Sequence, residues 1–132
     1  MSFLLDTDTC SAYIKGNPLV FGRFVQYGGR LSISTITLGE LFTWALRAKA
    51  PPGRLQDVQD LLKLVVVLDV TPDVARRFGE FRAGLLDAGR PTPDMDLLNA
   101  DTAIVHNLTL GRHNTQDYAG IPGLSLHDWL IP

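Results

Sequence analysis

The side chains of this sequence whose types and settings can do chemistry are the acids Asp6, Glu40, Asp94, Asp96 and Asp101, with Asn114 and Asp117 near the end of the chain. Asp6 directly follows the apolar run Phe3 to Leu5. A carboxylate there emerges at the end of a strand, where a ligand would meet it first; the competing reading is a turn or cap aspartate bonding nearby backbone N–H groups. Asp8 reads as the cap of the helix that follows. Glu40 closes Thr37-Leu38-Gly39-Glu40, a capping-box pattern in which Glu reaches back to the cap residue. It also lies off the apolar face of Leu38, Leu41, Phe42 and Ala45, beside Trp44 and Arg47, so it can serve the cap, a site, or both. Asp94 and Asp96 fall in the first turn of a helix opened by Thr92-Pro93, where the helix dipole favours acids. Asp94 needs no further explanation. Asp96 shares its face with Ala100 and Ala103, small residues that let a ligand or another backbone approach. Asp101 sits inside the apolar stripe Leu97, Ala100, Asp101, Ile104, and a buried carboxylate must be paired, hydrogen-bonded or neutral. It reads first as a structural hydrogen-bonding residue and second as part of the surroundings of an acidic site. Asn114 and Asp117 lie in GRHNTQDYAGIPGL, otherwise an ordinary polar loop.

Several hard oxygen donors without His or Cys, at strand ends and helix starts, are what Mg²⁺ or Mn²⁺ demands. Such an ion makes a bound water more acidic and offsets charge on a leaving oxygen, which is phosphoryl-transfer chemistry. His106, His113 and His127 show no zinc-site spacing and read as surface or loop residues. Cys10 is alone and cannot form an internal disulfide, so nothing points to an oxidising compartment.

The elements that must position these groups follow from the apolar pattern. The 132 residues, 45% hydrophobic and 20% charged, are expected to form one domain over 1–132 with a sizeable core, excluding disordered, collagen-like and disulfide-stapled classes. A net charge of -2 leaves the partner open, since acids gathered in one pocket can coexist with a basic rim. No signal peptide or membrane span is read, and the expected location is the cytoplasm. Strands are predicted at Phe3 to Leu5, Leu31 to Ser34, Leu64 to Leu68, Leu108 to Leu110 and Leu124 to Leu126, the third so apolar that both its faces should be covered. Helices are predicted from Thr9 to Ile14, Pro18 to Tyr27, Thr37 to Lys49, Arg54 to Lys63, Pro72 to Leu86, and from Thr92-Pro93 to about His106. Strands alternating with helices give an α/β fold with a central, mainly parallel sheet covered on both faces. In such sheets ligands sit at the carboxyl ends of strands.

LLDTDTCSAYIKG, SISTITLGEL, DMDLLNADTAIVHNLTL and HNTQDYAGIPGLSLHDW occur in this order from one end of the chain nearly to the other. Together they resemble the PIN-domain ribonucleases of the VapC toxin type. The resemblance implies a PIN-like three-layer α/β/α domain that gathers one or two Mg²⁺ or Mn²⁺ ions and hydrolyses RNA phosphodiesters. It carries the family's acidic positions onto Asp6, Glu40, Asp96 and Asn114. Asp6 and Asp96 would be the direct metal ligands, Glu40 would ligate the ion or position the attacking water, and Asn114 would hold a water or substrate oxygen. It also implies a VapB-type antitoxin partner, a homodimer, and as substrate an RNA such as a tRNA or ribosomal RNA loop. Lys15, Arg47, Lys49, Arg82 and Arg90 are the basic residues that would contact its backbone. Arg112 stands where the fourth segment usually offers Thr, and Gly111 replaces a β-branched strand residue. A guanidinium there can bind the scissile phosphate, or pair with a carboxylate and weaken the metal site.

Two other readings remain. Asp6-Thr7-Asp8-Thr9-Cys10 approximates the start of haloacid-dehalogenase-type phosphatases, with Asp6 as nucleophile, but no later G-D-x-x-x-D segment supports it. A non-catalytic PIN-like binding module, its site degraded at Arg112 and Asn114, is the other; Asp6, Glu40 and Asp96 speak against decay.

Overall fold

Phe3, Leu4 and Leu5 are all fully buried, which a strand achieves only inside a sheet covered on both faces. The computed structural model describes residues 1–90, 92–112 and 121–132. In it β1 (Phe3–Leu5) lies at the centre of five parallel strands in the order β3-β2-β1-β4-β5, with β2 (Leu31–Ser34), β3 (Val66–Leu68), β4 (Thr109–Arg112) and β5 (Ser125–Asp128). The helices are α1 (Thr7–Ile14), α2 (Pro18–Gln26), α3 (Thr35–Leu46), α4 (Arg54–Leu61), α5 (Pro72–Asp87) and α6 (Asp94–Val105).

Strand alternation sorts these helices into two layers. Phe3 and Leu5 face a core with Cys10, Val20, Phe24, Leu41, Val58, Leu61 and Trp129, so α1 to α4 cover that side. Leu4 faces the other way, onto Ala100, Ala103 and Leu110, where α6 lies with α5 packed against it. The three-layer α/β/α architecture is therefore as the resemblance implies, and the sheet is wholly parallel.

Local chemistry sets the boundaries and corrects several expectations. Asp6, not Asp8, caps α1: its side chain accepts the Thr9 N–H, and α1 begins two residues earlier than the apolar pattern suggests. Ser34, the last residue of β2, caps α3 in the same way, accepting the Thr37 N–H. Thr37 is thus the third helical residue and not the cap, and Glu40 lies in the second turn with no capping-box role. Asn17 and Thr71, each followed by Pro at the first helical position, cap α2 and α5. β3 is an edge strand with Val66 59% exposed, so the expectation that both its faces are covered fails. His127 is not a loop residue: it lies half-buried in β5, tilted against the Phe3 ring.

β2 and β3 extend the sheet to one side of β1, whereas β4 returns to the other side. The strand order thus reverses between β1 and β4, and the carboxyl ends at such a reversal form the crevice in which α/β sheets bind ligands. β4 can approach because Gly111 has no side chain. A Cβ there would stand 3.0 Å from Leu5 and 3.1 Å from the indole nitrogen of Trp129, both backing onto the core. This close fit explains the glycine at a strand position that otherwise favours a β-branched residue. Gly111→Val should overpack this contact and cost about 1–3 kcal/mol, with altered Trp129 fluorescence, as urea denaturation followed by fluorescence would measure.

Candidate active site

Parallel pairing sets Leu5 opposite Gly111, so the next residue of each chain segment, Asp6 and Arg112, come side by side at the carboxyl edge. Asp6 is buried and both its oxygens are engaged. Oδ1 accepts the Thr9 N–H at 2.9 Å, and Oδ2 lies 3.3 Å from Arg112 Nε. Thr9 Oγ1 in turn donates to the Gly111 carbonyl at 3.1 Å, tying the start of α1 to β4. Burial pushes the Asp6 carboxyl up to about 6, against the Thr9 hydrogen bond and the Arg112 charge that draw it down.

Arg112, itself buried, reaches a second acid. Its Nη1 lies 3.6 Å from Asp96 Oδ1, in the first turn of α6, so two carboxylates aim at one guanidinium. Glu40 approaches by another route: Thr7 Oγ1 donates to its Oε1 at 2.6 Å, and Thr7 is the chain neighbour of Asp6. Among the described residues no three His, Cys, Asp or Glu side chains stand close enough together to hold a metal ion. The expected acids therefore form a pair around Arg112, with Glu40 held next to it through Thr7. Asn114 and Asp117 lie outside the described residues.

A polar lock beside the acids went unread in the sequence. Ser34 Oγ donates to Asn99 Oδ1, and Asn99 Nδ2 donates to Thr37 Oγ1 at 3.2 Å, all three residues being buried. Asn99 comes one turn after Asp96, so the network fixes α6 to the start of α3 and hence Asp96 relative to Glu40. Ser34 and Thr37, three apart where a strand becomes a helix, carried a detectable capping signal; Asn99 inside an apolar stretch carried the other. Thr7 had none beyond its position beside Asp6.

No protein-family model matches the chain. It is 34% identical over 130 residues to the tRNA(fMet)-specific endonuclease VapC of Salmonella typhimurium, covering 98% of each chain. The chain belongs to the VapC family. A ribonuclease VapC2 of Haemophilus influenzae is 28% identical over 131 residues, covering 98% of this chain and 99% of that one. Among solved structures, DNA-bound VapBC from Salmonella typhimurium superposes with a TM-score of 0.90 at 34% identity, over 98% of both chains. DNA-bound VapBC2 from Rickettsia felis gives 0.89 at 26% identity, over 98% of this chain and 99% of that one.

In this VapC chain the other candidates separate from the acidic pair. Asp94 is exposed and pairs with Arg82 at 3.0 Å, which engages one of the basic residues expected to meet a nucleic acid. Asp101 is fully buried and turns to α5, where Arg77 Nε lies 3.6 Å away; it is not part of the acidic site's surroundings. Its first reading needs correction too, because neither oxygen has a hydrogen-bond partner among the described residues. Burial pushes this carboxyl up to about 6, only partly opposed by Arg77. In the unfolded chain it ionises near 3.8, so folding takes up a proton between those values and the fold weakens as pH rises through that window. Asp101→Asn, neutral throughout, should gain on the order of 1 kcal/mol over the parent at pH 8 and lose that advantage near pH 4. Urea denaturation at the two pH values measures the difference.

Proposed function

We propose that this VapC-family protein is a divalent-metal-dependent endoribonuclease, the toxin of a VapBC-type pair, hydrolysing RNA phosphodiesters at the crevice between β1 and β4. The observation that carries the reading is the convergence of Asp6 and Asp96, far apart along the chain, on one positive group at that crevice. Full-length relatives named as ribonucleases and as a tRNA endonuclease support RNA, for which a tRNA or a ribosomal RNA loop is the expected target.

The donor chemistry fits Mg²⁺ or Mn²⁺. The acids offer oxygens without nitrogen or sulfur, and the Arg112 guanidinium marks a place that two carboxylates already favour for a cation. Asp6 and Asp96 would hold the ion. When bound, it supplies charge neutralisation at the phosphate and a more acidic water. Glu40, held by Thr7 and not by Arg112, takes the proton of the attacking water as its oxygen bonds to phosphorus. The opposite P–O bond breaks, and the departing oxygen takes up a proton. Arg112 gives up its place between the acids and presents its N–H groups to a phosphate oxygen beside them. The phosphatase alternative is disfavoured, because no G-D-x-x-x-D segment follows Asp6 in the sequence and the full-length relatives are named as ribonucleases.

The same proposal includes a VapB-type antitoxin and pairing of two copies of this chain. The solved VapBC relatives support the first, and Phe21, Val25 and Leu64 offer exposed apolar surface to a protein partner. No helix among the described residues is long and apolar enough to cross a membrane.

Purified protein should cleave RNA with Mg²⁺ or Mn²⁺ and stop on addition of EDTA, and Glu40→Gln should lower the rate about 100-fold or more. Cleavage surviving both EDTA and Asp6→Ala overturns the reading. Arg112→Met removes the cation that competes for the two acids, so titration calorimetry should find Mn²⁺ binding tightened about tenfold. Unchanged binding would show that Arg112 does not occupy the ion's place.

A further inference from the structure

Glu40, Thr43 and Trp44 of α3 and Arg47 at its C-cap, spaced i, i+3, i+4 and i+7, make a stripe leading outward along α3 from the acidic crevice. From Glu40 to Arg47 the stripe runs roughly 10 Å. Two cavities of about 440 Å³ each lie along it, one bordered by Thr7, Glu40, Thr43 and Met95, the other by Lys49, Pro51 and Arg54. Trp44 and Arg47 border both, so the two form one groove that starts at Glu40.

The far half of this groove is strongly positive although the protein as a whole carries -2. Arg54 lays its guanidinium 3.8 Å over the Trp44 ring, and Lys15 Nζ stands 5.7 Å from the same ring. With Arg47 and Lys49, four cations gather around one half-buried indole. Among the described residues no carboxylate forms an ion pair with any of them, and no acid lines the outer cavity. Four like charges held together are mutually repulsive, and a polyanion relieves this directly. An aromatic ring set among cations is the arrangement that binds single-stranded nucleic acid, with bases contacting the ring and phosphates the cations. The cation cluster complements a polyanion, and continuity with Glu40 puts a bound RNA next to the reacting phosphate.

We propose that the groove along α3 is a single-strand subsite in which RNA flanking the cleaved bond packs against Trp44, with its phosphates on Lys15, Arg47, Lys49 and Arg54. The inference rests on the ribonuclease reading and names how that site holds its substrate. Trp44 and its cations act on binding, so their removal raises KM more than it lowers kcat.

The test is fluorescence anisotropy of a labelled single-stranded RNA with full-length Glu40→Gln protein, together with steady-state cleavage by the otherwise unaltered chain. Trp44→Ala should weaken binding about 5- to 100-fold, and Trp44→Phe should restore most of it. Arg47→Gln with Lys49→Gln should reduce the slope of log K against log salt by about 1.4, the value for two single-strand phosphate contacts. Thermal melting checks that each variant is folded, and the charge variants carry the test if Trp44→Ala is not. RNA binding and KM unchanged in folded variants overturn the subsite while cleavage by the parent upholds the ribonuclease reading. If the variants lose a VapB-type protein but keep RNA, the groove is a protein-docking surface and the subsite is likewise refuted. A parent that neither binds nor cuts RNA refutes the ribonuclease reading itself.

Discussion

Two carboxylates, drawn from positions 6 and 96, share one guanidinium at the carboxyl edge of the sheet. Everything else in the site adjusts to that contact. Asp6 is buried, and an ionised carboxylate in such a place needs a compensating charge and hydrogen bonds to remain ionised. Arg112 supplies the charge and the Thr9 N–H supplies a hydrogen bond, and the same bond starts α1. The helix start, the strand register and the electrostatics of the crevice are therefore one arrangement and not three.

The register explains why these residues meet. Leu5 and Gly111 pair in neighbouring parallel strands, and the absent side chain at 111 lets Leu5 and Trp129 close over the strand. On the other flank Ser34 ends β2, caps α3 and bonds Asn99 of α6, so one hydroxyl holds together a strand and two helices that carry Glu40 and Asp96. Glu40 remains outside the guanidinium's reach and keeps a hydroxyl contact instead. The division leaves one carboxylate chemically distinct from the other two, which a reaction needing both cation holding and proton transfer requires.

Much of this was legible in the sequence, because its apolar runs are long relative to the elements they make. All five strands and all six helices stand within a few residues of expectation, and the α/β class followed from their alternation. What could not be read was how ends are resolved. Asp8 reads as the cap because the apolar pattern starts the helix at Thr9; the strand ending at Leu5 gives that place to Asp6. Thr37 and Glu40 fit a capping box only until Ser34 takes the cap position. Val66 and Val67 look like a buried strand because apolar composition does not reveal an edge. The candidate acids Asp6, Glu40 and Asp96 were identified by setting, yet the pairing through Arg112 depends on strand order, a long-range property. Asp101 was recognised as an oddity, but its partner on α5 was invisible without the helix packing.

β1 precedes the other described elements and sits at the middle of the sheet, yet its neighbour on one side begins only at residue 109. The side chain that seals Gly111 comes later still, at residue 129. Contacts spanning more than 100 residues carry a large closure entropy and slow the search for the native state. The crevice therefore lacks one of its walls until residue 129 has been made, and catalytic competence arrives as a single all-or-none event instead of growing with the nascent chain.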